Sequence, residues 1–146
     1  MNLLLDTHVF LSLPFDHAQL GANQRERLKD SSAKIFLSSV SIFEIATKAK
    51  SGKLIVPPLY AGRLCAVYNN FEYVPLAVGV THAELADNLV GADKDTFDRL
   101  LAAQSIVENM PVMTADMKLR ELGRRWFREF RAALLTHPYQ SSLLPL

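Results

Sequence analysis

Short apolar runs alternate along this chain with longer stretches whose apolar positions recur at helical spacing. Leu3-Leu4-Leu5 stops at Asp6 and Ile35-Phe36-Leu37 stops at Ser38-Ser39; Tyr73-Val74-Pro75-Leu76 is a third short run, and Val112-Met113-Thr114 a fourth with Asp116 just beyond it. Continuous runs of this length suit strands buried on both faces. Between them, residues 9–13 start a helix that Pro14 ends, and residues 22–31 read as a polar surface helix. Residues 40–50 place Val40, Phe43, Ala46 and Thr47, joined by Ile42, Ile45 and Ala49, on a helix with one buried face, closed by Ser51-Gly52. Helices are also expected over residues 59–68, 81–89 and 96–109, with Gly91-Ala92-Asp93 breaking the chain before the last of them. Phe97, Leu100, Leu101, Ile106 and Val107 give that last helix its apolar side. The alternation predicts a single α/β domain over residues 1–146: three layers, α/β/α, around a short, mainly parallel sheet of four to five strands.

A chain of 146 residues with 49% hydrophobic and 21% charged positions can bury a core without staples. No apolar run approaches the roughly 20 residues that span a bilayer, and Met1-Asn2 carries no basic lead into a signal segment, so a cytoplasmic protein is expected. One cysteine, Cys65, excludes an internal disulfide and a multi-cysteine zinc site, and reads as a small buried hydrophobe. The net charge of +1 hides a local excess: six basic residues stand against two acids between Lys118 and Arg131.

Asp6 and Asp116 follow strand ends, Asp98 lies in the first turn of one helix, and Glu44 lies one turn into another. In a parallel sheet helices begin on the edge where strands end, which is also the edge where ligands bind. All four acids are therefore expected on one rim. Each has a structural role open to it as well: Ser41-x-x-Glu44 has the form of a capping box, Asp98 suits a helix dipole, and Asp116 suits a turn. Asp6 has no such role. Carboxylates gathered at one place repel, and a hard divalent cation such as Mg²⁺ or Mn²⁺ relieves the repulsion.

Four blocks, in order, carry a resemblance: Leu3-Leu4-Leu5-Asp6-Thr7-His8-Val9-Phe10-Leu11; Ser38 to Ala46 with Lys48 and Ser51-Gly52-Lys53-Leu54; Asp95-Thr96-Phe97-Asp98-Arg99 through Gln104; and Met113-Thr114-Ala115-Asp116. Together they resemble PIN-domain ribonucleases, of the VapC toxin type, from residue 2 to about residue 122. The resemblance implies hydrolysis of RNA phosphodiester bonds with Mg²⁺ or Mn²⁺, with Asp6, Glu44, Asp98 and Asp116 as the catalytic, metal-holding acids. It also implies a small antitoxin protein as partner and a homodimer. Thr114 matches the family's hydroxyl near the metal. Thr7 is expected to bond near Asp6, Asp95 to cap the helix that begins near Thr96, Arg99 to pair with a carboxylate or phosphate, and His8 to be packed and hydrogen-bonded.

This chain departs from the pattern in having Thr96 where the family usually has proline. It also runs from residue 123 to 146 in a basic, aromatic segment (Arg124, Arg125, Trp126, Phe127, Arg128, Phe130, Arg131) instead of a short last strand. That segment suits either RNA contact or an amphipathic helix on the body. A haloacid-dehalogenase phosphatase would need aspartate where His8 stands, and a receiver domain would need acids before Asp6. A PIN scaffold without catalysis, kept for protein binding, and a PIN nuclease of RNA processing without an antitoxin remain open.

Overall fold

In a computed structural model that describes residues 1–13, 20–58, 60–70, 72–89, 95–117 and 119, Leu3, Leu4 and Leu5 are at most 1% exposed. They form the first strand, β1 (Asn2–Leu5), at the centre of the sheet. The order along the chain is then α1 (Thr7–Ser12), α2 (Ala22–Lys29), β2 (Lys34–Ser38), α3 (Ser39–Lys50), α4 (Leu64–Asn70), β3 (Val74–Leu76), α5 (Val80–Asn88), α6 (Thr96–Val107) and β4 (Val112–Met113). The four strands lie in the order β3-β2-β1-β4, and every pair is parallel. The sheet thus has four strands and is parallel throughout, within the expected range.

Pleat parity explains why both faces are covered. Leu3 and Leu5 point to a core with Val9 and Phe10 of α1, Ile45 of α3 and Tyr60. Leu4, between them, points the other way, to Val40 of α3 and Leu101 of α6. Each buried leucine contributes roughly 1.5–3 kcal/mol, so the end of β1 is held firmly where Asp6 leaves it.

The strand order is what makes a site. From β1 the chain steps outward through β2 to β3, then returns past β1 to lay β4 on the other side. The order reverses between β1 and β4, and in open parallel sheets ligands bind outside the C-terminal strand ends at such a reversal. Asp6 N–H donates to Met113 O at 3.1 Å, stitching the two strands together at that edge.

Several expectations change in detail. The helix expected over 59–68 starts only at Leu64, because Gly62 takes a left-handed conformation (φ 66°) that no helix passes through. Tyr60 turns inward instead, 1% exposed, and donates its hydroxyl to Phe10 O at 3.0 Å. Cys65 is exposed rather than buried, since Leu64 beside it takes the place against the core. The capping-box reading of Ser41 and Glu44 fails: Ser38 caps α3 through Val40 N–H, so Glu44 sits well inside the helix. Pro14, Gly91-Ala92-Asp93, the basic stretch that starts at Lys118 and the segment 123–146 lie outside the described residues.

Candidate functional site

Asp6 is placed by β1, immediately before α1, and is 4% exposed. Its Oδ2 accepts from the Thr114 hydroxyl at 2.7 Å, and Thr114, just past β4, is itself fully buried. Burial raises the Asp6 pKa above the usual carboxylate value and the charge of Glu44 adds to this. The Thr114 hydroxyl, the charge of His8 and the backbone N–H of His8 work against it. His8 is exposed, not packed as expected, because its side chain leaves α1 on the solvent side next to this rim.

Glu44, 3% exposed, reaches the rim from α3. Thr7 Oγ1 is 2.5 Å from Glu44 Oε2 and 3.0 Å from Ser41 Oγ. With a single proton, Thr7 donates to the carboxylate and accepts from Ser41. The hydroxyl expected to serve Asp6 therefore serves Glu44, because α1 turns Thr7 toward α3. The other Glu44 oxygen, Oε1, is held by the Lys48 ammonium one turn along the same helix. Lys48 also reaches Asp95 Oδ2 at 3.3 Å and lies over the Phe97 ring, 5.6 Å from its centre. Burial opposes the lysine's charge, but Glu44 and Asp95 together hold its pKa above the usual value.

The first turn of α6 supplies the next acids. Asp95 caps it, accepting from Phe97 N–H at 2.9 Å, as expected. Asp98, half-buried in the same turn, has its pKa pushed up to about 7. Burial is the main cause, then the charges of Asp95, Asp6 and Glu44, with Lys48 opposing. Four carboxylates from three elements thus act on one another here. Asp116 stands exposed at the same rim, tied to the group by its backbone N–H, which donates to Thr114 Oγ1 at 2.9 Å.

Two polar residues, Gln104 and the half-buried Gln24, align these elements and were not singled out by sequence. Gln104 of α6, fully buried, accepts from the Ser38 hydroxyl at 2.6 Å and donates to Ala77 O at 3.2 Å. It therefore sets α6, and with it Asp98, against the cap of α3 that aims Glu44. Gln24 of α2 donates to Thr114 O at 2.9 Å. A glutamine inside an otherwise apolar helical stretch was the available sign for Gln104, as the four-residue spacing was for Lys48.

The PIN domain family matches residues 3–125. The chain belongs to the PIN-domain family. No curated protein matches it. PIN domains are generally nucleases, hydrolases that act on RNA and generally use divalent metals.

In this PIN domain Arg99 reaches a neighbouring carboxylate, as expected: that of Asp87, at the C-terminal end of α5. Its Nε donates to Ala86 O at 2.9 Å and its Nη2 to Asp87 O at 2.7 Å, closing the C-terminal end of α5. The Asp87 carboxylate is 3.8 Å away and 91% exposed, so the carbonyls decide where the guanidinium sits. Among the described residues no helix is long and apolar enough to cross a membrane.

Among the described residues, no three acids, histidines or cysteines are drawn together closely enough to hold a metal ion directly as they stand. The donor set nevertheless suits one. It consists of carboxylates, two of them desolvated and pushed toward the protonated form, with Lys48 opposing this at Asp98 and His8 and Thr114 opposing it at Asp6. Mg²⁺ and Mn²⁺ keep several waters and need few direct carboxylates, so these acids could hold such an ion partly through its waters.

The Asp98 shift has a measurable consequence. Below 3.8 its carboxyl is protonated both folded and unfolded; between 3.8 and about 7 the unfolded chain gives up a proton that folded Asp98 keeps. Metal-free stability from this group is therefore lost as pH rises through that window. Urea midpoints in a metal-free buffer should show Asp98→Asn gaining on the wild type from pH 3.8 to about 7 and no further above it. A difference that does not vary with pH would contradict the shift.

Proposed function

We propose that this PIN domain is a metal-dependent endoribonuclease that hydrolyses RNA phosphodiester bonds, and that it serves as the toxin of a toxin–antitoxin pair. The observation that carries the catalytic part is the crowding of Asp6, Glu44, Asp95 and Asp98 at the strand-order reversal, with Asp98 raised to about 7 by burial and by the other three. Asp6, Glu44, Asp98 and Asp116 would hold Mg²⁺ or Mn²⁺, directly or through its waters. When bound, the ion would neutralise charge on the phosphodiester and make water a better nucleophile.

The chain's own groups do the positioning. Thr114 orients Asp6 through its hydroxyl. Thr7 fixes Glu44 Oε2, leaving Oε1 to accept the proton of the attacking water once Lys48 swings aside. Lys48 is then free to meet a phosphate oxygen. The purified protein should cut single-stranded RNA in Mn²⁺ and stop when EDTA is added; mapping the fragment ends identifies the bond. RNA left whole under both conditions would overturn the reading.

The toxin role rests on the resemblance of the four blocks to VapC toxins. With it come a small antitoxin partner, a homodimer and a cytoplasmic location. Expression should arrest bacterial growth, and a small DNA-binding protein encoded just upstream should relieve the arrest. Nuclease activity without growth arrest would favour a role in RNA processing. One observation favours a different reading, a PIN scaffold used for protein binding: the Lys48 ammonium already occupies Glu44 and touches Asp95. Calorimetry with Mn²⁺ separates the two, since a scaffold binds none.

A further inference from the structure

Of the aromatic side chains that the structure describes, Phe43 is the one left mostly in the open, 66% exposed. Leaving a phenylalanine in water forgoes the burial energy that the fold collects from Phe10, so folding offers no reason for it. Its position is specific. Phe43 precedes Glu44 on α3, and its ring meets Phe97 of α6 edge-on, with centroids 5.9 Å apart and planes at 65°. Phe97 in turn carries the Lys48 ammonium, which holds Glu44 and Asp95. An unbroken line of contacts thus runs from the exposed ring to the carboxylates. The edge-on contact leaves a face of Phe43 uncovered.

We infer that Phe43, braced by Phe97, is a stacking subsite for one unpaired base of an RNA strand whose phosphate lies at the carboxylate rim. This inference rests on the ribonuclease reading. A nucleotide offers the two surfaces the ledge needs, side by side: an aromatic face for Phe43 and an anionic phosphate for the Lys48 ammonium at its inner edge. An apolar protein segment would match the ring but would strip water from Lys48 and Asp95 without replacing it. The subsite selects single-stranded over paired RNA, because a base inside a duplex has no free face, and it is tolerant of sequence because every base has one.

The test uses the whole chain in Mg²⁺ with a short single-stranded RNA that carries 2-aminopurine and a phosphorothioate backbone, whose sulfur is a poor ligand for Mg²⁺ and so slows hydrolysis. Wild type should bind the probe and quench its fluorescence as the base stacks. Phe43→Ala should bind about tenfold more weakly and lose the quench. Phe43→Trp should keep both. Unchanged Mn²⁺ calorimetry and an unchanged melting temperature for Phe43→Ala would localise the effect to the ledge. Equal affinity and quench in wild type and Phe43→Ala would overturn the subsite while leaving the nuclease reading intact. A wild type that binds Mn²⁺ but no RNA would overturn both. RNA binding unaffected by Phe43→Ala, in a variant that turns from dimer to monomer, would make the ring a contact between copies of this chain instead.

Discussion

Asp6→Asn is expected to abolish RNA cleavage, lowering the rate on the order of 10³-fold or more, while the protein stays folded. The loss follows from removing the one acid built into the end of the central strand, where an ion held by the rim would contribute several kcal/mol of charge stabilisation. The substitution is nearly isosteric, and the amide oxygen still accepts from the Thr114 hydroxyl. Stability should not fall. Burial raises the Asp6 pKa, so the ionised carboxylate works against folding above its unfolded value, and a neutral amide removes that opposition. Single-turnover cleavage of a labelled RNA together with urea unfolding at neutral pH checks both halves. Mn²⁺-dependent cleavage retained in the folded variant would place the chemistry elsewhere.

The second large effect concerns Lys48. Lys48→Met leaves Glu44, 3% exposed, with the Thr7 hydroxyl but without its cation. Breaking a fully buried pair costs roughly 3–5 kcal/mol; here about 2 kcal/mol is expected, because 26% of the Lys48 side chain is exposed and water screens part of the interaction. The same change removes the ammonium with which a divalent ion must compete for Glu44. Mn²⁺ should therefore stabilise Lys48→Met more than it stabilises the wild type, and should bind the variant more tightly in calorimetry. Urea midpoints with and without Mn²⁺ measure the difference. Equal gains for the two proteins would mean that Lys48 and the ion do not share a site, which is the outcome the scaffold reading requires.

The four strands were legible in the chain because each is a short apolar run, and a run as short as Leu3-Leu4-Leu5 favours a buried strand over a helix by its length. The helices over residues 40–50 and 96–109 were legible by period, and the structure moves their ends by no more than two residues. The positions of Asp6 and Asp98 at element ends followed from the same patterns. Tyr60 was misread because a helical composition hides one residue, Gly62, whose backbone breaks the helix. Cys65 was misread because its burial depends on which side of a seven-residue helix meets the core.

Partners were a different matter. Thr7 adjoins Asp6 in the chain yet gives its proton to Glu44, 37 positions away, because α1 leaves the sheet with Thr7 facing α3. Arg99 adjoins Asp98 yet closes α5, because α6 packs against that helix and its bare carbonyls outbid an exposed carboxylate. Nor does anything local say that Lys48 reaches both its own helix's glutamate and the cap of another helix.

By itself the sequence determined most of the strands and helices and that the sheet is parallel, and it placed four acids at the ends of elements. Each of these depends on periodicity within a few residues of chain. Only the tertiary structure decided that β4 returns beside β1, so that Thr114 meets Asp6 at 2.7 Å, and that Lys48 stands among the carboxylates. Strand order and helix packing select among many partners of equal local merit, and that choice is made by the burial of the whole core.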